Sequence, residues 1–241
     1  METPVHPTLS VVVPVFNEEE SLPLFIPKLV EVLETLPFSY EMIFVDDGSS
    51  DESWRILKEM ASKHAFLRVL RFKENRGLST ALIAGMREAR GEKIATLDSD
   101  LQNDPADIPR LLAYLDRYDM ATGWRRKRED KWLKRISSKI ANRIRNWLSG
   151  ETIQDSACTL RAFKKECIQR IPMFNGMHRF LSTLVKMEGY RIVEVPVSHH
   201  PRKFGKSKYH IRNRMVRSFI DLLAVRWMKR RIITYDIVER I

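Results

Sequence analysis

Cys158 and Cys167 are the only two cysteines in 241 residues. That is too few for a disulfide framework and points to a reducing compartment. No histidine stands at metal spacing from either, so buried structural thiols are expected rather than a zinc or redox site. No stretch reaches the ~18 unbroken apolar residues of a transmembrane helix. The opening Met-Glu-Thr-Pro-Val-His-Pro-Thr has no basic region followed by an apolar run, so no signal peptide is read there. Internal repeats and low-complexity tracts are missing as well. The first predicted strand is followed by Asn-Glu-Glu-Glu instead of the G-x-G-x-x-G of a dinucleotide fold. A nucleotide bound here would have to be met by carboxylates and a metal, not by a glycine loop.

Acids are scarce in two places. Residues 125–145 hold ten Lys/Arg against Glu129 and Asp130, and residues 202–231 hold eleven against Asp221 alone. These segments carry +18, while the rest of the chain sums to −7. The overall +11 is therefore two basic patches rather than a general polyanion surface. Elsewhere, 44% apolar and 30% charged residues describe an ordinary globular protein with chain enough for a sizeable core.

Apolar runs alternate with helical periodicity. Leu9–Phe16, Glu41–Val45, Leu67–Phe72 and Lys93–Leu97 read as buried strands. Between them, helices are expected from Asn17 and the acids Glu18, Glu19 and Glu20 onward with Pro23 in the first turn, from Trp54 to His64, and from Gly77 to Ala89, closed by Gly91. A further helix is expected at Ile108–Leu115, with strands at Tyr118–Thr122 and Arg191–Val197. Residues 153–168 read as a loop, a short strand and a helix start. Residues 132–148 and 211–231 read as basic amphipathic segments bearing Trp132, Trp147 and Trp227, which suit a membrane interface or a core. The alternation predicts an α/β fold with a mostly parallel sheet flanked by helices and no transmembrane span.

Three predicted strand ends carry polar clusters: Asn17/Glu18, Asp46/Asp47 and Asp98/Asp100. Open α/β sheets gather such ends at one crevice. Asp98-Ser99-Asp100 alone is first of all an Asp-rich turn capping the next helix. At a strand end, two carboxylates one residue apart also suit a hard divalent cation that keeps waters and holds phosphates.

Taken together, Val-Val-Val-Pro-Val-Phe-Asn-Glu (11–18), Val-Asp-Asp-Gly-Ser-Ser-Asp (45–51), Arg-Gly-Leu (76–78) and Asp-Ser-Asp-Leu-Gln (98–102) resemble family 2 glycosyltransferases with the GT-A, or nucleotide-diphospho-sugar transferase, fold. Gly-Trp-Arg (123–125), Asp-Ser-Ala-Cys-Thr-Leu-Arg (155–161) and Pro-Arg-Lys-Phe-Gly-Lys-Ser-Lys-Tyr (201–209) resemble the dolichol-phosphate mannose synthase and bacterial polyprenyl-phosphate glycosyltransferase branch. The resemblance implies that Pro14, Phe16, Asn17, Glu18, Val45, Asp46, Asp47, Arg76, Asp98, Ser99, Asp100 and Gln102 meet the nucleotide-sugar. Asp98 and Asp100 would hold Mg²⁺ or Mn²⁺, with Gln102 beside the transferred sugar. Arg125, Lys134, Ser138, Arg202, Ser207 and Lys208 would grip the acceptor phosphate, and Asp100, Gln102, Asp155, Arg125, Lys134 and Arg202 form the implied catalytic set. Asp155 is the remaining candidate for a base or sugar-orienting group, or else it pairs with Arg161 or caps a turn.

The implied reaction moves a hexose from GDP-mannose or a UDP-sugar to a dolichyl or undecaprenyl phosphate at the cytoplasmic membrane face. The implied organisation is a catalytic domain over 1–210, with a nucleotide-sugar half to about 124 and an acceptor half beyond it, then a membrane-associating segment at 211–241. The protein is expected to be peripheral on an anionic inner membrane surface. Competing readings are transfer to a glycan or protein hydroxyl and, from a different class, nucleic-acid binding. The latter lacks a recognisable motif, and an acidic crevice would repel a phosphate backbone, so no nucleic-acid partner is expected.

Overall fold

A computed structural model describes residues 6–125, 153–202, 204, 211–231 and 239, omitting the side chains of 211–217. Strands β1 (Leu9–Val15), β2 (Tyr40–Asp46), β3 (Leu67–Arg71), β4 (Lys93–Thr96), β5 (Met120–Trp124), β6 (Arg161–Lys164) and β7 (Ile192–Pro196) form one sheet in the order β3-β2-β1-β4-β6-β5-β7. All neighbours pair parallel except β4 with β6 and β6 with β5. The strand order reverses between β1 and β4. A crevice therefore opens past their carboxyl ends, where ligands of open α/β sheets bind.

Helices cover both faces. Val11, Val13 and Val15 of β1 pack with α1 (Leu22–Glu34), α2 (Ser53–Lys63) and α4 (Ile108–Ala113). The intervening Val12, with Ile43 and Val45 of β2, packs with α3 (Leu78–Glu88), α5 (Leu181–Met187) and α6 (Ile211–Lys229). This period-two division explains why β1 is apolar throughout. Among the described residues no helix is long and apolar enough to cross a membrane.

Several sequence expectations shift. The acids at 18–20 do not open a helix; α1 begins at Leu22, with Pro23 in its first turn. Side chains from the segment after β2 take the backbone N–H groups instead: Ser49 Oγ accepts from Asn17, Ser53 Oγ from Glu18 and Asp51 from Glu19. Gly91 is no helix cap, since α3 ends at an extended Ala89. Its glycine is required because a Cβ there would lie 2.7 Å from the Ser10 nitrogen. Strand β5 starts two residues late because the chain leaves α4 through a 3₁₀ turn in which Tyr118 N–H still donates to Tyr114. The helix start near 165–168 is likewise a 3₁₀ turn, and α5 has no counterpart in the sequence reading. The predicted amphipathic helix at 132–148 lies outside the described residues.

Glu41, buried in β2, ties three elements together by accepting from Ser10 Oγ, the Arg90 N–H and Arg68 Nη1 at 2.7–3.0 Å. Burial pushes its carboxyl upward, but these donors and the Arg68 charge outweigh burial and hold it below its ordinary 4.5. Glu41→Gln should cost about 2 kcal/mol at neutral pH, the scale of hydrogen bonds to a buried charge. A lowered folded-state pKa gives stability that is complete above the unfolded value and lost as pH falls through the folded one. Urea titrations of the two proteins should therefore differ at pH 7 and converge in acid.

Candidate active site

At the crevice, Pro14, Phe16, Glu18, Asp47, Asp98, Ser99, Asp100 and Arg202 line one cleft of about 240 Å³, together with Asn75, Gly77, Leu78 and Ala81. Phe16 follows β1, Asp47 follows β2 and Asp98 follows β4, so the parallel register delivers all three. Asp47 organises its own wall. Its oxygens accept from the N–H groups of Arg76 and Gly77 at 2.6 and 2.9 Å and from Asn75 Nδ2 at 2.9 Å. Burial still pushes its carboxyl above the ordinary value, with the Asp46 charge adding to it.

The acid pair sits on a tight turn. Asp100 Oδ1 accepts from the Gln102 N–H at 3.1 Å, and Leu101 between them has a φ of +60°, a left-handed conformation unfavourable for leucine. Ser99 Oγ donates to the Pro14 carbonyl, tying the turn to β1. Asp98 is half-buried at the cleft, and its carboxyl is pushed up to about 6 by desolvation and by the Asp100 charge, against a hydrogen bond from Thr159 and the charges of Arg125 and Arg161. Two acids this close, both half-buried, leave negative charge that a cation would relieve. Among the described residues no cluster of three or more carboxylates, histidines or cysteines could hold a metal. The pair thus fits an ion such as Mg²⁺ or Mn²⁺ that takes its remaining ligands from water and a diphosphate.

Also lining the cleft, Arg202 reaches back 184 residues: its Nη2 donates to Glu18 Oε1 at 2.7 Å, while Ser21 Oγ donates to Glu18 Oε2 at 2.8 Å. Arg202 Nε also donates to the Phe204 carbonyl.

A second group lies beside Asp98. Asp155, only 3% exposed, pairs with Arg125 and not with Arg161. Its Oδ2 accepts from Arg125 Nε at 2.7 Å and its Oδ1 from Nη2 at 2.9 Å, a bidentate fork. Burial works against the guanidinium charge, but the Asp155 hydrogen bonds and charge more than offset it and raise the Arg125 pKa. Arg161 donates to the Ser156 carbonyl and is wholly enclosed, which lowers its pKa. Gly123 in β5 lets this loop approach, because a Cβ there would meet Cys158 Sγ at 2.8 Å and the Leu160 carbonyl at 2.9 Å.

The other sequence candidates stand apart from the cleft lining. Val45 and Asp46 are fully enclosed, the latter accepting from the Ser49 N–H and paired with Arg71. Asn17 holds the Ser50 N–H, Arg76 pairs with Glu74 through its side chain, and the Gln102 carbonyl accepts from the His200 N–H. Lys134, Ser138, Ser207 and Lys208 lie outside the described residues. Sequence reasoning passed over Thr159, which donates to Asp98 at 2.7 Å and accepts from Asn103 Nδ2 at 3.0 Å. Its signal was its place inside the 155–161 motif.

A family model described as glycosyl transferase family 2 matches residues 10–171. The chain belongs to this family. The dodecaprenyl-phosphate galacturonate synthase of Rhizobium johnstonii is 37% identical over 228 residues, covering 92% of this chain and 67% of that protein. Among solved structures, a mannosyltransferase from Pyrobaculum calidifontis in complex with GDP-Man and Mn²⁺ has a TM-score of 0.61 at 23% identity, over 92% of this chain and 64% of the other. Glucosyl-3-phosphoglycerate synthase from Mycobacterium tuberculosis, in complex with Mn²⁺, UDP and glucosyl-3-phosphoglycerate, reaches 0.70 at 17% identity, over 95% and 81%. These likenesses bear out the GT-A fold and the mostly parallel sheet. The chain spans about two thirds of the length of the first two proteins.

Both cysteines are buried free thiols. Burial pushes Cys158 up to about 11 and Cys167 up to about 12, so neither supplies thiolate near neutrality. Ellman's reagent at pH 8 should detect no thiol in the folded protein and both after denaturation. Rapid labelling of native Cys158 would contradict its packing against Gly123.

Proposed function

We propose that this family 2 enzyme transfers a hexose or hexuronic acid from a nucleotide-diphospho-sugar to a polyprenyl phosphate on the cytoplasmic face of a membrane. The carrying observation is the 37% identity, along 92% of the chain, to a protein that makes a dodecaprenyl-phosphate-linked sugar. The cleft agrees in its chemistry, since an acid pair and Arg202 both line it.

In this reaction the bond from the anomeric carbon to the donor phosphate breaks, a nucleoside diphosphate leaves, and an acceptor phosphate oxygen bonds to that carbon. The acceptor oxygen is already negative, so no proton need be removed. Asp155, committed to Arg125, then has no base role to fill, whereas a hydroxyl acceptor would need one. A divalent cation held by Asp98 and Asp100 would supply Lewis-acid stabilisation of the departing diphosphate. Phe16 and Glu18 face the nucleoside and Asp47 shapes that wall, while Arg125 and Arg202 orient the phosphates. Residues up to about 124 thus serve the donor, and those from 125 to 210 the acceptor.

Helix α6 supports attachment to the bilayer that carries the acceptor. Leu222 and Val225 seat it on the core, and Phe219, Ile220, Leu223 and Trp227 stand 45–61% exposed beside Arg226, Lys229, Arg230 and Arg231. Basic residues near an anionic surface contribute on the order of 1 kcal/mol each.

A panel of GDP- and UDP-sugars with undecaprenyl or dolichyl phosphate should yield a polyprenyl-phosphate sugar, and EDTA should abolish it. Undiminished turnover in the chelator would remove the metal assignment. Arg202→Ala should reduce transfer at least a hundredfold while nucleotide binding stays measurable. Anionic vesicles should retain the protein at low salt and release it as salt rises; retention at ~1 M would mean a mainly apolar anchor.

A further inference from the structure

We propose that Glu194, a β7 residue remote from the acid pair in sequence, is the positioning residue for Arg125. Its carboxylate Oε1 accepts the backbone N–H groups of Gln154 at 2.8 Å and Asp155 at 3.1 Å, and Oε2 also meets Gln154 at 3.0 Å. Glu194 stands opposite Thr122 in the β5–β7 ladder, two residues before Trp124 and three before Arg125. One rigid strand pair therefore carries both the anchor and the anchored guanidinium. Between them lies Asp155, whose two oxygens grip Arg125 Nε and Nη2 and whose Oδ2 also accepts from the Arg125 backbone N–H at 3.3 Å.

The other end of the same loop has separate supports. Thr159, which donates to Asp98, receives the Thr96 hydroxyl on its carbonyl and Asn103 Nδ2 on its own oxygen. Loss of the Glu194 anchor should therefore disturb the arginine and leave the acid pair in place. Through the Asp155 N–H Glu194 acts on Asp155, and Asp155 is part of the arginine's mount instead of a proton acceptor. This rests on the reading of Arg125 as an acceptor-phosphate ligand.

The test is a double-mutant cycle on transfer kinetics with the donor and polyprenyl phosphate selected by the panel, together with amide hydrogen exchange. Glu194→Ala should lower kcat/KM for the acceptor tenfold or more, with the donor KM unchanged within twofold. Glu194→Gln should recover most of the loss, because one carbonyl oxygen can take both N–H groups. In an Arg125→Ala background Glu194→Ala should cost no more than twofold further, as coupled residues behave. The amides of Gln154 and Asp155 should exchange faster in Glu194→Ala and stay protected in Arg125→Ala. If Glu194→Ala does not fold, Glu194→Asp, one methylene too short for both bonds, takes its place. Additive losses, or unchanged exchange at 154–155, would overturn the proposal. A wild-type protein without polyprenyl-phosphate transfer would instead overturn the proposed reaction, and the exchange arm would still decide the anchor.

Discussion

Holding two carboxylates close together at a half-buried strand end is unfavourable, and much of the structure around Asp98 and Asp100 answers to that constraint. Burial alone would favour a protonated Asp98, which could not ligate a cation well. The protein opposes this with a hydroxyl from Thr159 and with Arg125 and Arg161 close enough to lower the pKa, but not far enough to cancel the charge. The balance leaves an acid pair whose charge a divalent cation would relieve. A site neutralised by an internal salt bridge would have no such demand.

The backbone supplies the rest of that arrangement. Parallel pairing of β1 with β2 and β4 aligns Val12 with both Ile43 and Thr96, which brings Phe16, Asp47 and Asp98 to one rim. Antiparallel β6 then enters the sheet from that same rim, Arg161 lying opposite Thr96 and Thr122. The loop preceding it is thereby obliged to cross the edge where the acids stand. Thr159 and Asp155 owe their positions to this one reversed strand. The family's 155–161 motif is thus a consequence of sheet order as much as of local chemistry.

The donor half was legible in the sequence because its signals are local. A two-sided apolar strand followed by polar residues marks a parallel strand end whatever follows it, and three such ends were found at 17–18, 46–47 and 98–100. Failures came where distant partners decide the outcome. Glu18 to Glu20 carry the composition of a helix start, yet Ser49, Asp51 and Ser53 from the next crossover claim their backbone donors. Gly91 looks like a cap and is a packing glycine against β1. The pairing of Asp155 was open between Arg161 and a turn; Arg125, thirty residues upstream, took it. Glu194 carried no sequence signal, since an acid on an alternating strand reads as a solvent-facing residue.

The division of charge suits the proposed reaction, in which both substrates are anionic. The acids of the crevice would repel a diphosphate arriving without a cation, so the proposed reaction calls for a donor that binds with its cation. An acceptor phosphate would be attracted by charge of the other sign, and by sequence residues 125–145 and 202–231 carry +18 against −7 for the remainder of the chain. Arg202 belongs to both regions, because it is the basic segment's first residue and is held at the donor rim by Glu18. When a diphosphate occupies the cleft, its oxygens compete with Glu18 for that guanidinium.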